Sequence, residues 1–212
     1  YPCCDMGNGK VRAVGSAIAM QGSSIAKVDV GGASIKLGED GSYTLGLGAT
    51  DMGTGCDTIL AQMAADVLET DFDNIVVFGV DTDISPYDSG SYASATTYVT
   101  GMAVADACEQ LREKIKELGA AMLETEAEQV EFDGKSVYKL AGQGEVSLES
   151  IAVKGPSGNN TNLQASATRS SQISPPPFMA GIVEIEIDKE TGTLEILDYA
   201  AVVDCGTPIN PN

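Results

Sequence analysis

Gly46-Leu47-Gly48-Ala49-Thr50-Asp51-Met52-Gly53-Thr54-Gly55-Cys56-Asp57-Thr58 closes an alternating apolar pattern and opens one of helical period. Gly46, Gly48, Gly53 and Gly55 stand at this junction, with Thr50, Thr54 and Thr58 among them. Glycine lets backbone approach a ligand closely, and a helix start offers unpaired N–H groups with a partial positive charge. The junction therefore suits a phosphate or another anion. It reads equally well as a strand–loop–helix turn that uses glycine for its geometry alone. An ordinary phosphate loop is excluded because no lysine follows the glycines, and the dinucleotide fingerprint is absent.

Upstream, Ile35 and Leu37 alternate, Glu39-Asp40-Gly41 turns the chain, and Tyr43, Leu45 and Leu47 alternate back, which predicts a hairpin. Residues 11–20 read as a strand of small side chains, and residues 25–30 as an extension of its pairing. Downstream, Ile59, Met63 and Val67 recur at helical spacing, with Asp57 placed for a first-turn acid. Residues 75–80 form a compact apolar run that predicts a buried strand. A second and longer helix carries Val104, Cys108, Leu111, Ile115 and Leu118, with Gly119 near its end. Residues 129–132 and 136–140 flank Asp133-Gly134-Lys135 as another hairpin, and residues 146–153 predict a short helix. Residues 155–160 form a loop whose sequon at Asn159 is incidental, and Pro175-Pro176-Pro177 marks a stiff extended crossing. A last hairpin alternates through Val183, Ile185 and Ile187, turns at residues 189–192, and returns through Leu194 and Ile196, with one more strand over residues 199–203.

Strands come in hairpins and helices fall between them, so the fold class is α+β, with mixed and antiparallel sheets and packed helices. The expected organisation is a tail over residues 1–10, a first lobe over 11–125 carrying both polar loops, and a second lobe over 126–212. The start at Tyr1-Pro2 and the end at Asn210-Pro211-Asn212 predict a piece of a longer polypeptide.

The second polar loop runs Asp81-Thr82-Asp83-Ile84-Ser85-Pro86-Tyr87-Asp88-Ser89-Gly90-Ser91-Tyr92-Ala93-Ser94-Ala95-Thr96-Thr97. Its acids invite a calcium site, but Ser85 and Pro86 stand where an oxygen ligand and the turn glycine belong. A structural turn is the better reading there. Ser91, Ser94, Thr96 and Thr97 gather hydroxyls just before a helix, which predicts a second anion cradle; N-capping alone needs only one of them.

Thirty-one acidic against twelve basic residues leave a net charge of −19, which argues against nucleic acid and anionic membrane surfaces. The bland reading of that charge is a solvated acidic surface. Five scattered cysteines contain no C-x-x-C pair, consistent with reduced thiols in the cytoplasm. There is no histidine, which removes Ser-His-Asp and Cys-His catalysis and His-ligated metals from this chain.

The order of motifs resembles the large molybdenum-binding subunit of molybdenum hydroxylases, the xanthine dehydrogenase, aldehyde oxidase and carbon monoxide dehydrogenase group. The resemblance rests on Asp40-Gly41-Ser42, residues 48–55, residues 61–65, Asp81-Thr82, residues 94–97 and residues 101–104. It resumes at residues 183–188, Thr191-Gly192 and residues 204–211. It implies an internal segment of the molybdopterin-binding region, with the fold of that domain type. Gly53, Thr54 and Gly55 would approach the pterin, with Thr54 where the family's usual residue is glutamine. Ser94, Thr96 and Thr97 would hold the pterin and its phosphate. Ala93 would edge the substrate pocket, and Ile18 would stand where some purine-oxidising members carry a phenylalanine.

The resemblance further implies hydroxylation of a heterocycle or aldehyde with water as oxygen source. The cofactor would be molybdopterin with molybdenum, as the cytosine dinucleotide in a bacterial protein. FAD and iron–sulfur (2Fe-2S) clusters would sit on other subunits or domains, which with the remainder of the molybdenum subunit are the expected partners. The family's glutamate base lies downstream of Asn210-Pro211, so no catalytic residue and no metal ligand is expected here, and the isolated segment is expected to be inactive. Glu124, Glu126, Glu128 and Glu131 read as solvated surface. The alternative is a cofactor-free structural or assembly module of the same fold, supported by Thr54.

Overall fold

The computed structural model of the chain describes residues 3–157 and 162–209. Tyr1-Pro2, the Asn159 sequon and Asn210-Pro211 lie outside the described residues. In chain order the first elements are β1 (Cys3–Asp5), β2 (Lys10–Met20), β3 (Val30–Leu37), β4 (Tyr43–Leu47), α1 (Cys56–Val67) and β5 (Ile75–Phe78). Then come α2 (Gly101–Met122), β6 (Val130–Phe132), β7 (Ser136–Lys139), β8 (Glu145–Ser147) and α3 (Leu148–Lys154). The last are β9 (Gln164–Ser170), β10 (Phe178–Asp188) and β11 (Leu194–Asp204).

The chain divides into two units, one of Tyr1–Ser23 with Pro175–Asn212 and one of Ser24–Ser174. This differs from the expected lobes at 11–125 and 126–212. The reason is α2, which packs against α1 and β3 and also against β6, β7, α3 and β9, so elements on both sides of residue 125 share one core. Residues 3–10 also do more than form a tail, since β1 pairs antiparallel with β2.

The Ser24–Ser174 unit is a sheet in the order β5-β4-β3-β9 with α1 and α2 against one face, beside a small β6-β7-β8 sheet. Period-two alternation puts Ala33, Ile35, Leu37, Tyr43, Leu45 and Leu47 into the core, while Ser34, Lys36 and Thr44 face the other way. The β4–α1–β5 crossover makes β4 and β5 a parallel pair, the one such pair among the described residues. β5 is an edge strand with only Ile75 buried, not the buried strand its apolar run predicts. β9, at the opposite edge of the sheet, carries no strong apolar signal; small alanines alternate with polar residues, and it pairs with β3 all the same. Residues 25–29 make a turn rather than a strand, closed by the Ile25 amide donating to the Asp29 carboxylate at 2.7 Å. Gly119 lies in the last turn of α2, near its end as expected, and it serves packing: a Cβ there would fall 2.5 Å from Val137 Cβ, so the glycine lets β7 reach the helix.

The other unit is an antiparallel sheet in the order β1-β2-β10-β11. Its hairpin β10–β11 is longer than expected, because the strand at residues 199–203 continues β11 past a bulge between Glu184 and Ile185. No helix among the described residues is long and apolar enough to cross a membrane.

Candidate functional site

The four glycines of the first loop divide into two kinds. A Cβ on Gly46 would meet Ser34 Oγ at 2.5 Å, and one on Gly48 would meet the Pro86 carbonyl oxygen at 2.3 Å. Both are glycine because neighbouring chain occupies the space. Gly53 and Gly55 are different: a Cβ on either would meet nothing within 4 Å, and their φ values are +99° and +74°. Backbone there is bare and held in a conformation that L side chains resist. Gly55 is the N-cap of α1, and Thr54 beside it is exposed.

Asp51 organises this turn. Its Oδ1 accepts the Gly53 amide at 2.8 Å and the Gly55 amide at 3.2 Å, and its Oδ2 accepts the Asp57 amide at 3.4 Å. The Gly53 amide first, then those of Gly55 and Asp57, hold its carboxyl below the usual carboxylate range. The anion at the start of α1 is therefore the chain's own. One oxygen each of Asp51 and Asp57 and the Cys56 thiol lie within 4.8 Å of one another. That cluster does not suit a cation, because the Asp51 oxygens already face N–H donors. Cys56 is buried, and burial raises its thiol above the usual range; Cys108, in the core, is pushed up to about 12 by the same cause.

The second loop enters α2 through a strained bend. Ala93 and Ser94 have φ of 53° and 58°, both left-handed, and Thr96–Thr100 form a π-helical turn before α2 begins. Such conformations cost free energy and concentrate where backbone is shaped for a ligand. The hydroxyls sort by partner. Thr100 Oγ1 donates to the Asp88 carboxylate at 2.7 Å, and Ser89 Oγ accepts the Val30 amide at 3.0 Å, so both serve the fold. The hydroxyls of Ser91, Ser94, Thr96 and Thr97 make no hydrogen bond among the described residues, and Ser94 and Thr97 are exposed. None of them serves as an N-cap, since neither Ser91 nor Ala95 nor Thr100 closes a side-chain cap bond. The acidic start of this loop is a structural turn, with Asp81 accepting the Asp83 amide at 2.9 Å.

Ala93 lies at the strained bend, half-buried. Ile18 lies on β2 opposite Ala180 and is 84% exposed. Glu124, Glu126 and Glu128 are exposed as expected, but Glu131 is half-buried between Lys116 at 3.4 Å and Arg112 at 3.7 Å. Asp51 is the residue that sequence reading passed over. The Asp-x-Gly spacing, common in side-chain-to-backbone turns, was its available signal.

Two helix entrances, one with bare left-handed glycine backbone and one with hydroxyls unpartnered among the described residues, make up the candidate site. A profile of the molybdopterin cofactor-binding domain family matches residues 5–212, and the chain belongs to that family. It is 38% identical over 200 residues to the probable hypoxanthine oxidase XdhD of Escherichia coli (strain K12), covering 93% of this chain and 21% of that protein. It is 32% identical over 189 residues to the nicotine 6-hydroxylase large subunit of Paenarthrobacter nicotinovorans, covering 84% of this chain and 23% of that protein. Among solved structures, the reconstituted CO dehydrogenase from Oligotropha carboxidovorans matches with a TM-score of 0.86 at 25% identity, over 96% of this chain and 27% of that one. The chain thus spans between 21% and 23% of the length of these two curated relatives.

Proposed function

We propose that the chain is part of the molybdopterin-binding subunit of an enzyme that hydroxylates a heterocycle or an aldehyde with water. The observation that carries this is the pairing, in a member of the molybdopterin cofactor-binding family, of open backbone at Gly53 and Gly55 with the hydroxyls of Ser94, Thr96 and Thr97, which are unpartnered among the described residues. These residues fit a polyanionic pterin: hydroxyls donate to phosphate oxygens, and side-chain-free backbone admits a flat ring system. The bound cofactor, molybdopterin cytosine dinucleotide with molybdenum, supplies the oxidation. The chain's own residues bind and orient it. Thr54, shorter than the family's glutamine, contributes its hydroxyl at short range. Ala93 is proposed at the edge of the substrate pocket, its small side chain leaving room beside the bend, and Ile18 as a substrate-facing position on β2.

The relatives support a nitrogen heterocycle ahead of an aldehyde, because two of those compared are named for hypoxanthine and nicotine. A name also supports partners, since the nicotine 6-hydroxylase relative is a large subunit. We assign the remainder of the molybdenum subunit, and subunits or domains carrying FAD and 2Fe-2S clusters, as those partners, in the cytoplasm. Thr54 favours a second reading, a cofactor-free module of the same fold.

The two readings separate in Thr54→Ala and Ser94→Ala variants of the whole protein. Loss of bound pterin, about tenfold for a hydrogen bond to a charged group, with an unchanged melting temperature supports the cofactor reading. Unchanged pterin content in both variants refutes the assignment of these residues.

A further inference from the structure

Gly53 and Gly55 hold left-handed φ values, and a Cβ added at either would meet nothing within 4 Å. Apolar packing therefore does not shape this turn. One side chain does reach it: Asp51, whose two oxygens take the amides of Gly53, Gly55 and Asp57 at 2.8, 3.2 and 3.4 Å. We propose that Asp51 is a positioning residue that fixes the Gly53-Thr54-Gly55 turn in its ligand-receiving shape, filling the anion position at the start of α1 from within the chain. The proposal rests on the cofactor reading above.

The geometry has a directional consequence. Amides that already face a carboxylate cannot also bind a phosphate, so the first loop meets its ligand through Thr54 and the bare glycine backbone. Phosphate recognition falls to the second loop, whose Ser94, Thr96 and Thr97 hydroxyls are unspent among the described residues. A contrary reading is that Asp51 is a plug, an internal anion mimic expelled when a phosphate arrives. The two readings predict opposite effects of removing the carboxylate. A positioning residue lost loosens the turn and weakens cofactor retention. A plug lost frees three amides and strengthens it.

The experiment uses the cofactor-loaded whole protein with Asp51→Ala and Asp51→Asn. Amide exchange is read over residues 53–57, pterin retained after gel filtration is measured, and melting temperature serves as a folding control. Asp51→Ala is expected to speed exchange at Gly53 and Gly55 and to cut retained pterin, each on the order of tenfold. Asp51→Asn keeps one carbonyl oxygen, which is enough for both glycine amides since Oδ1 accepts both. It is expected to restore exchange and retention to within about threefold of the unmodified protein, a rescue that loss of general stability would not show. Should Asp51→Ala fail to fold, the Asn variant still decides: near-normal retention supports an acceptor role, and a tenfold loss overturns it. Retention in Asp51→Ala equal to or above that of the unmodified protein overturns the proposal. If the unmodified protein contains no pterin, the cofactor reading itself has failed. The exchange arm then still reports whether Asp51 holds the turn.

Discussion

Gly48 and Pro86 meet backbone to backbone: a Cβ at Gly48 would lie 2.3 Å from the Pro86 carbonyl oxygen and 2.7 Å from Asp88 Cβ. The first polar loop is thereby seated against the second within one unit. Gly32 is pressed on the same segment, with the Tyr87 carbonyl oxygen 2.5 Å from where its Cβ would be. Crowding by backbone cannot be relieved by a rotamer change. Gly48→Ala is expected to destabilise the chain by about 1–3 kcal/mol, read by urea unfolding. An unchanged midpoint would show that the loops separate at no cost.

Acid should weaken the β1-β2-β10-β11 sheet through one carboxylate. Glu186 on β10 is 9% exposed and receives Lys10 Nζ at 2.6 Å and Arg12 Nε at 2.9 Å. The Lys10 hydrogen bond first, then that of Arg12, depresses its carboxyl below the ordinary value of 4.5. A depressed carboxylate adds stability that is fully present above its unfolded value and lost as pH falls through the folded one. Protection of the β10 amides, relative to their intrinsic exchange at each pH, should therefore fall below about pH 4.5, and Glu186→Gln should flatten that dependence. The same acid sensitivity in the Gln variant would assign the effect to other groups.

The same sheet ends on an open edge. All eleven residues of β11 are exposed, and it has a neighbour on one side only, β10. Ile18 at 84% and Val202 at 72% exposure add apolar surface to the sheet. Long apolar edges pair with other chains unless charges or prolines blunt them. Expressed alone, the 212 residues should associate with rising concentration in light scattering, and Val202→Lys should reduce that association. A monomer across the whole concentration range would contradict the expectation.

Much of the fold was legible in the sequence because it rests on local pattern. The β3–β4 and β10–β11 hairpins, the stripe of α2 and the strand–loop–helix junction at residues 46–58 all follow from periodicity and turn residues. β9 escaped notice because its inward side chains are alanines, too small to mark a buried face. The division into units escaped because the stretch ending at Ser23 joins the stretch beginning at Pro175 through long-range pairing, β2 with β10, which local pattern does not show. In the candidate site, composition pointed to both loops but could not say which glycines serve packing. Gly46 and Gly48 are set apart from Gly53 and Gly55 by Ser34 and Pro86, and those neighbours arrive from elsewhere in the chain. Thr100, just past the loop hydroxyls, is structural, and the Asp88 carboxylate that its hydroxyl reaches is likewise set by the fold rather than by local pattern.

The most direct test of the central claim is the molybdenum content of the whole protein purified from its native host, together with released pterin and cytidine nucleotide. The cofactor reading predicts all three at close to one per chain. A folded protein that contains none of them would contradict it, and would make Thr54 the first residue to examine.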